Sequence, residues 1–229
     1  MKVLIFGATG MLGQGVLAEC QRDPAVQAIL LVSRRASGLS HPKMREILHQ
    51  DFAQLEPIAG ELAGVDACFF CLGVSAAGLD EVAYTKITYD FTMAAAKVLE
   101  RVSPRCVFCY VSGLGTDSTE KGRSMWARVK GRTENALLRC ALGGVYLFRP
   151  GIIQPLDGIK SSTGSYRVLY TLMGPFFPLM RALAPKSLTT TRAVGQAMLA
   201  LAKERPASTI LYPPDINAKA LSAPPSPGP

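Results

Sequence analysis

The seven residues Gly7-Ala8-Thr9-Gly10-Met11-Leu12-Gly13, set directly after the apolar run Lys2-Val-Leu-Ile-Phe6, constrain the fold of this 229-residue chain more than any other feature. A glycine-rich turn by itself says little. Between a five-residue apolar run and a helix-forming stretch it predicts a strand, a turn and a helix in that order. Gly7 then permits the tight turn, Gly10 lets the backbone approach a pyrophosphate, and Gly13 allows the helix to pack closely on the sheet. The helix N-terminus adds free N–H groups and the positive end of its dipole, which suits phosphate. All seven residues are therefore candidate dinucleotide contacts.

The pattern continues along the chain. Strand-length apolar runs are expected at Ala28 to Val32, Glu46 to Gln50, Asp66 to Leu72, Cys106 to Val111 and Val145 to Arg149, with a short edge at Thr209 to Tyr212. Helices are expected at Met11 to Arg22, Asp80 to Arg101, about Lys121 to Leu142, and Thr191 to Lys203. Alternation of this kind predicts an α/β fold: a Rossmann-like, doubly wound parallel sheet of six or seven strands with helices on both faces. It reads as one domain over residues 1–212, with a small substrate-covering region from about residue 151. Within that region the segment from Tyr166 to Ala184, rich in aromatic residues and proline, suits an apolar lid, an interrupted core helix or, less well, a partner or membrane-surface patch. The Pro-, Ala- and Ser-rich residues 213–229 read as a loosely ordered tail.

Cofactor choice is read at the end of the second strand, where an NAD site presents a carboxylate to the ribose hydroxyls. Here the chain has Ser33-Arg34-Arg35, with no acid at that turn. Two guanidinium groups and a hydroxyl suit a 2′-phosphate, so NADP(H) is expected, with NAD possible. Asp51 and Phe52 after the third strand, and Cys71, Leu72 and Gly73 after the fourth, are supporting candidates where the chain would pass beneath the adenosine.

A formal charge of +8 permits an anionic partner. The basic residues are scattered and no aromatic-interleaved motif accompanies them, so no specific nucleic-acid partner is expected. Among the six cysteines, Cys68/Cys71 and Cys106/Cys109 have metal-knuckle spacing. Both pairs lie in strand-like runs, where residues three apart point to opposite faces roughly 10 Å apart and cannot chelate together. Free thiols in a reducing, cytoplasmic compartment are the expectation, with no metal. The N-terminal run reads as a first strand rather than a signal peptide. No transmembrane segment is expected either, because the apolar stretch from Val168 to Met180 is short and broken by Pro175 and Pro178. Substrate and oligomeric state are not legible.

The order of these motifs, continued by Val111-Ser112-Gly113 after strand five, Lys130 on the next helix and Arg149-Pro150-Gly151 after strand six, resembles the short-chain dehydrogenase/reductase superfamily. It is most similar to the atypical, epimerase-like, NAD(P)-binding branch. The resemblance implies that Ser112 polarises a substrate carbonyl, that Lys130 binds the nicotinamide ribose, and that Pro150 and Gly151 lie near the nicotinamide amide. It also implies a proton-exchanging tyrosine four residues before the lysine, and that position holds Trp126. An indole N–H donates but has no accessible deprotonated state, so it cannot do a phenol's work. None of the seven tyrosines has a lysine four residues later. Helical geometry places Lys121, Arg128, Arg132 and Arg139 on one stripe, with Trp126, Lys130, Leu137 and Ala141 opposite, so Lys130 is expected on the apolar side.

Two functional classes stay open on this reading. One is an NADP(H)-dependent oxidoreductase or epimerase-like enzyme acting on a small carbonyl or alcohol, with its proton from Tyr84, Tyr89, Ser124, water or the substrate. The other is a non-catalytic NADP(H)-binding regulatory protein, as NmrA-like members of the superfamily are.

Overall fold

The structure is a computed structural model and describes residues 1–159 and 187–222. The lid expected at Tyr166 to Ala184 lies outside them.

Seven parallel strands form one sheet in the order β3-β2-β1-β4-β5-β6-β9. They are β1 (Lys2–Phe6), β2 (Ala28–Ser33), β3 (Met44–Leu48), β4 (Ala67–Phe70), β5 (Val107–Val111), β6 (Gly144–Phe148) and β9 (Thr209–Leu211). The order reverses between β1 and β4, and a doubly wound sheet opens its ligand crevice at the carboxyl ends of such a pair. A separate two-stranded sheet pairs β7 (Ile152–Gln154) with β8 (Leu188–Thr190). The sequence reading missed it, because three-residue strands give too few positions for a period to show.

Period-two alternation divides the core between two faces. Leu4, Phe6, Cys68, Phe70, Phe108 and Tyr110 pack under α3 (Phe91–Val102), α4 (Met125–Leu137) and a 3-10 helix at Glu56–Leu62. Val3, Ile5, Phe69, Cys109 and Phe148 pack under α1 (Met11–Arg22) and α5 (Thr191–Glu204). The two cysteine pairs are split by this alternation. Cys68 and Cys106 belong to the first face, while Cys109, with Cys71 packed against it, belongs to the second. All six thiols are free.

Several element boundaries moved from the sequence expectation. Strand β3 lies two residues earlier than expected, because its register on β2 runs from Ile29 opposite Met44 to Ser33 opposite Leu48. The expected helix from Asp80 is α2 (Glu81–Thr85), a π-helical turn at Lys86–Asp90, and then α3. The helix expected from Lys121 begins only at Met125. The Asp117 carboxylate accepts from the N–H groups of Thr119 and Gly122 at 2.9 and 2.7 Å and holds the preceding loop in turns. Lys121, Arg139 and Ala141 thus fall outside the helix whose stripes they were assigned to.

The tail expectation is corrected. Residues Pro213–Ser222 form helix α6, with Pro213, Ile216 and Ala220 buried. Asn217 ties the helix down, accepting from Thr189 Oγ1 and donating to the Leu188 carbonyl, both at 2.8 Å. Three apolar anchors and one amide bridge suffice for a ten-residue helix that composition alone marked as loose.

Candidate functional site

The turn after β1 has the geometry that its glycines imply. Gly7 has a φ of 77°, in the left-handed region that favours glycine, and a Cβ there would meet the Leu72 backbone N at 2.7 Å. A Cβ on Gly13 would come within 2.1 Å of the Gly7 carbonyl oxygen, so the first turn of α1 presses directly on the loop. The Gly10 N–H donates to the Gly7 carbonyl at 3.0 Å and closes the turn.

Beside this turn, over the carboxyl ends of β1, β2 and β4, lies a cleft of about 480 Å³. Its walls include Gly7, Ala8, Thr9, Ser33, Arg34 and Arg35 of the expected residues. Phe52 and Leu72 complete the apolar side. Phe52 is buried and sits edge-on to Phe6, ring centroids 5.8 Å apart, which fixes the floor. Arg34 and Arg35 are exposed and form no ion pair among the described residues.

Other expected residues stand back from the cleft wall. Asp51 is exposed, and its carboxylate accepts from the Ala53 N–H at 3.0 Å in a local turn. Cys71 is half-buried, and burial pushes its thiol up to about 12, so it remains an inert thiol. Gly10, Met11, Leu12, Gly13 and Gly73 are likewise outside the lining. Val32, Ala36, Ser37 and Gln50 join it without having been singled out from sequence.

The second group of expected residues meets at the ends of β5 and β6. Lys130 Nζ on α4 donates to the Ser112 carbonyl oxygen. Lys130 is half-buried, and desolvation lowers its pKa to about 8, with the Glu134 carboxylate acting in the opposite direction. Ser112 is only 6% exposed, and its hydroxyl reaches Glu134 Oε1 at 2.5 Å and the Phe148 carbonyl at 3.1 Å. Glu134 is fully buried and paired with Arg149, whose Nε lies 3.1 and 3.2 Å from the two carboxylate oxygens. Arg149 also donates to Ser118 Oγ at 2.5 Å and to the Tyr212 hydroxyl at 3.2 Å.

The structure therefore brings Ser112 and Lys130 together, but it turns the serine hydroxyl toward a carboxylate. Glu134 was missed from sequence, although a signal was available. It follows Lys130 by four residues, about 40° around the helix, and so shares its face. Pro150 and Gly151 sit at the same end of the sheet. The Pro150 carbonyl accepts from Leu114 N–H at 2.8 Å, and a Cβ on Gly151 would meet the Ser187 carbonyl oxygen at 2.5 Å.

Trp126 lies over Gly115, so closely that a Cβ there would come within 3.3 Å of the indole ring. Gly115 itself has a φ of 90°. The tyrosines named as proton sources are also engaged. Tyr84 is 1% exposed and burial raises its pKa, the Thr88 hydroxyl opposing. Tyr89 lies under the Arg132 guanidinium at 4.3 Å. Tyr110 is buried too, its hydroxyl beside Thr133 but without a hydrogen bond among the described residues, and desolvation raises its pKa strongly.

No family model matches the chain. Among curated proteins it is similar to "Protein FMP52, mitochondrial" of Candida albicans, 24% identical over 158 residues that cover 67% of each chain. Among solved structures it is similar to ADP-L-glycero-D-manno-heptose-6-epimerase from Helicobacter pylori, with a TM-score of 0.67 and 16% identity over 91% of this chain and 75% of the other. An oxidoreductase of the short-chain dehydrogenase/reductase family from Burkholderia thailandensis gives 0.67 and 15%, covering 93% and 91%. A uronate dehydrogenase variant from Agrobacterium tumefaciens, solved with NAD, gives 0.67 and 13%, covering 92% and 75%. The chain shares the Rossmann-like α/β fold of these structures. No helix among the described residues is long and apolar enough to cross a membrane.

Proposed function

We propose that this protein binds NADP(H) in the cleft over β1, β2 and β4, and that it does so without the tyrosine-based proton exchange that the family resemblance implies. The observation that carries the reading is the cleft itself: a glycine turn too tight for side chains on one side, and on the other two exposed arginines that form no ion pair among the described residues. The residues fit a dinucleotide by their chemistry. The N–H groups at the start of α1 suit the pyrophosphate, Phe52 and Leu72 suit the adenine side, and Ser33, Arg34 and Arg35 suit a 2′-phosphate. Lys130, a cation at the β5 end, would take the ribose hydroxyls nearer the nicotinamide.

A bound nicotinamide would supply hydride, and carbonyl reduction then needs a proton at the new oxygen. Trp126 has none to exchange. Ser112 already gives its proton to Glu134 or Phe148. A regulatory or redox-reporting role accounts for a retained cofactor cleft with this arrangement. The second reading, an oxidoreductase or epimerase-like enzyme on a small carbonyl or alcohol, is favoured by one observation: the lowered pKa of Lys130 beside the site, which brings an ammonium proton within reach of neutral pH. The cytoplasmic expectation stands against the mitochondrial name of the FMP52 relative, and fractionation of cells carrying the full chain decides it.

Binding of NADPH and NADH, followed by calorimetry on the wild-type protein and on Arg34→Glu, tests the cofactor reading. NADPH is expected to bind tighter by about tenfold or more, the equivalent of one or two charge-assisted hydrogen bonds. Arg34→Glu should remove that advantage. Equal wild-type affinities would overturn the assignment.

A further inference from the structure

The arginine wall of the cleft is a loop without regular structure, residues 34–40, and what holds it is found one strand away. Glu46 on β3 turns its carboxylate onto the loop, where both oxygens accept from the Ser37 N–H, at 3.2 and 3.1 Å. Burial alone would raise the Glu46 pKa. The Ser37 N–H and the hydroxyls of Ser33 and Ser37 outweigh it, so the carboxyl lies below its ordinary value and is ionised near neutral pH. Gln50 grips the other end of the loop, its Nε2 donating to the Arg34 carbonyl at 2.5 Å. Ser37 in turn accepts from the Leu39 N–H at 3.3 Å. Ser33, Arg34, Arg35, Ala36 and Ser37 all line the cleft, so whatever fixes this loop fixes that wall.

An acid near the end of β2 would ordinarily argue for NAD, because it would take the ribose hydroxyls and repel a 2′-phosphate. Glu46, on β3 opposite Leu31 of β2, brings an acid to the loop that follows β2. Its oxygens are occupied by the loop, however, and its charge is partly offset by the donors it gathers. We propose that Glu46 is a positioning residue for the 2′-phosphate subsite: it holds the Ser33 to Ser37 loop so that Arg34 and Arg35 are arranged over the cleft before the cofactor arrives. The inference rests on the NADP(H) reading above and deepens it. Preorganisation of this kind improves affinity by removing the ordering cost from the binding step, and only for ligands that use the ordered wall.

The test compares wild type, Glu46→Ala and Glu46→Gln for binding of NADPH, NADH, adenosine 2′,5′-bisphosphate and 5′-AMP. Glu46→Ala should weaken NADPH and the bisphosphate by about tenfold, as expected for loss of a charge-assisted hydrogen bond, while NADH and 5′-AMP change by less than about twofold. Glu46→Gln keeps one oxygen facing the Ser37 N–H and should restore most of the affinity. Hydrogen exchange on the ligand-free Glu46→Ala protein should show faster exchange confined to residues 34–39. A fall shared equally by phosphorylated and unphosphorylated ligands would mean a general structural role and overturn the proposal. So would unchanged bisphosphate affinity in a wild-type background that prefers NADPH. Absence of any NADPH preference in the wild type sinks the cofactor reading first, and is distinguishable from both.

Discussion

Removing the Glu134 carboxylate should be among the most damaging single changes at the β5/β6 end of the molecule. Glu134 is fully buried and Arg149 is 6% exposed, so neither charge is screened by water. In Glu134→Ala the guanidinium would keep only Ser118 Oγ at 2.5 Å and the Tyr212 hydroxyl at 3.2 Å, both neutral. The Ser112 hydroxyl would keep only the Phe148 carbonyl at 3.1 Å. Breaking a buried pair from one side costs about 3–5 kcal/mol, because an uncompensated charge stays behind. With a urea slope on the order of 2 kcal/mol per molar, the unfolding midpoint should fall by roughly 1.5–2.5 M. Arg149→Met should behave similarly. The double variant Glu134→Leu/Arg149→Met removes both charges and should recover most of the loss, since replacing a whole buried pair by apolar groups is often close to neutral. Urea unfolding of wild type, Glu134→Leu, Arg149→Met and the double variant gives the coupling directly. If Glu134→Ala costs less than about 1 kcal/mol, or the double variant loses the sum of the singles, the pair is not desolvated and the reasoning about Ser112 loses its support.

Lys130 should titrate near pH 8, measurable by NMR of labelled lysine or by the pH dependence of its acylation, and a value above about 10 would contradict the burial argument. The linkage sign follows from the depressed value. Between about pH 8 and the ordinary lysine value the unfolded chain binds more protons than the folded one, so stability should rise through that window, and Lys130→Met should flatten the rise. Trp126→Tyr should leave NADPH-dependent reduction of simple carbonyls within about tenfold of background, because a phenol alone does not release the Ser112 hydroxyl from Glu134. Rapid NADPH consumption by that variant would show that Ser112 is not bound to its carboxylate during turnover.

What the sequence revealed, and what it hid, follows from distance along the chain. Strand β1 and helix α1 have the expected limits, because Lys2–Phe6 is one uninterrupted apolar run and the glycine turn defines the start of the helix. A doubly wound parallel sheet follows from the alternation of strands and helices. Register does not, and β3 was misplaced by two residues for that reason. The charged positioning groups were the least visible. Glu46 meets Ser37 nine residues upstream, and Glu134 meets Ser112 twenty-two residues upstream, in contacts that only the packed sheet creates. Composition also misled at Pro213–Ser222, where Pro, Ala and Ser suggested looseness and three well-spaced apolar residues decided otherwise.

The two ends of the crevice use their polar groups in opposite ways, and this contrast carries the functional argument further than any single residue. At the β1/β2 end the carboxylate of Glu46 is taken up by the Ser37 N–H of the wall loop, and Arg34 and Arg35 are exposed and form no ion pair among the described residues. Charge there is available to a ligand. At the β5/β6 end Ser112, Ser118, Glu134, Arg149 and Tyr212 satisfy one another, and Lys130 is bound to a backbone carbonyl. Ser112, Glu134 and Arg149 are the buried members of this network, and taking the Ser112 hydroxyl from it for a substrate leaves a buried carboxylate short of a donor. That cost works against Ser112 as a carbonyl-polarising group in every state that keeps Glu134 buried. The same cost does not apply to Lys130, whose half-buried ammonium can exchange the Ser112 carbonyl for a ribose hydroxyl without stranding a charge. On the reading proposed above, the groups that would hold a dinucleotide stay available at both ends of the crevice, while the Ser112 hydroxyl is engaged by Glu134 and Trp126 is packed over Gly115.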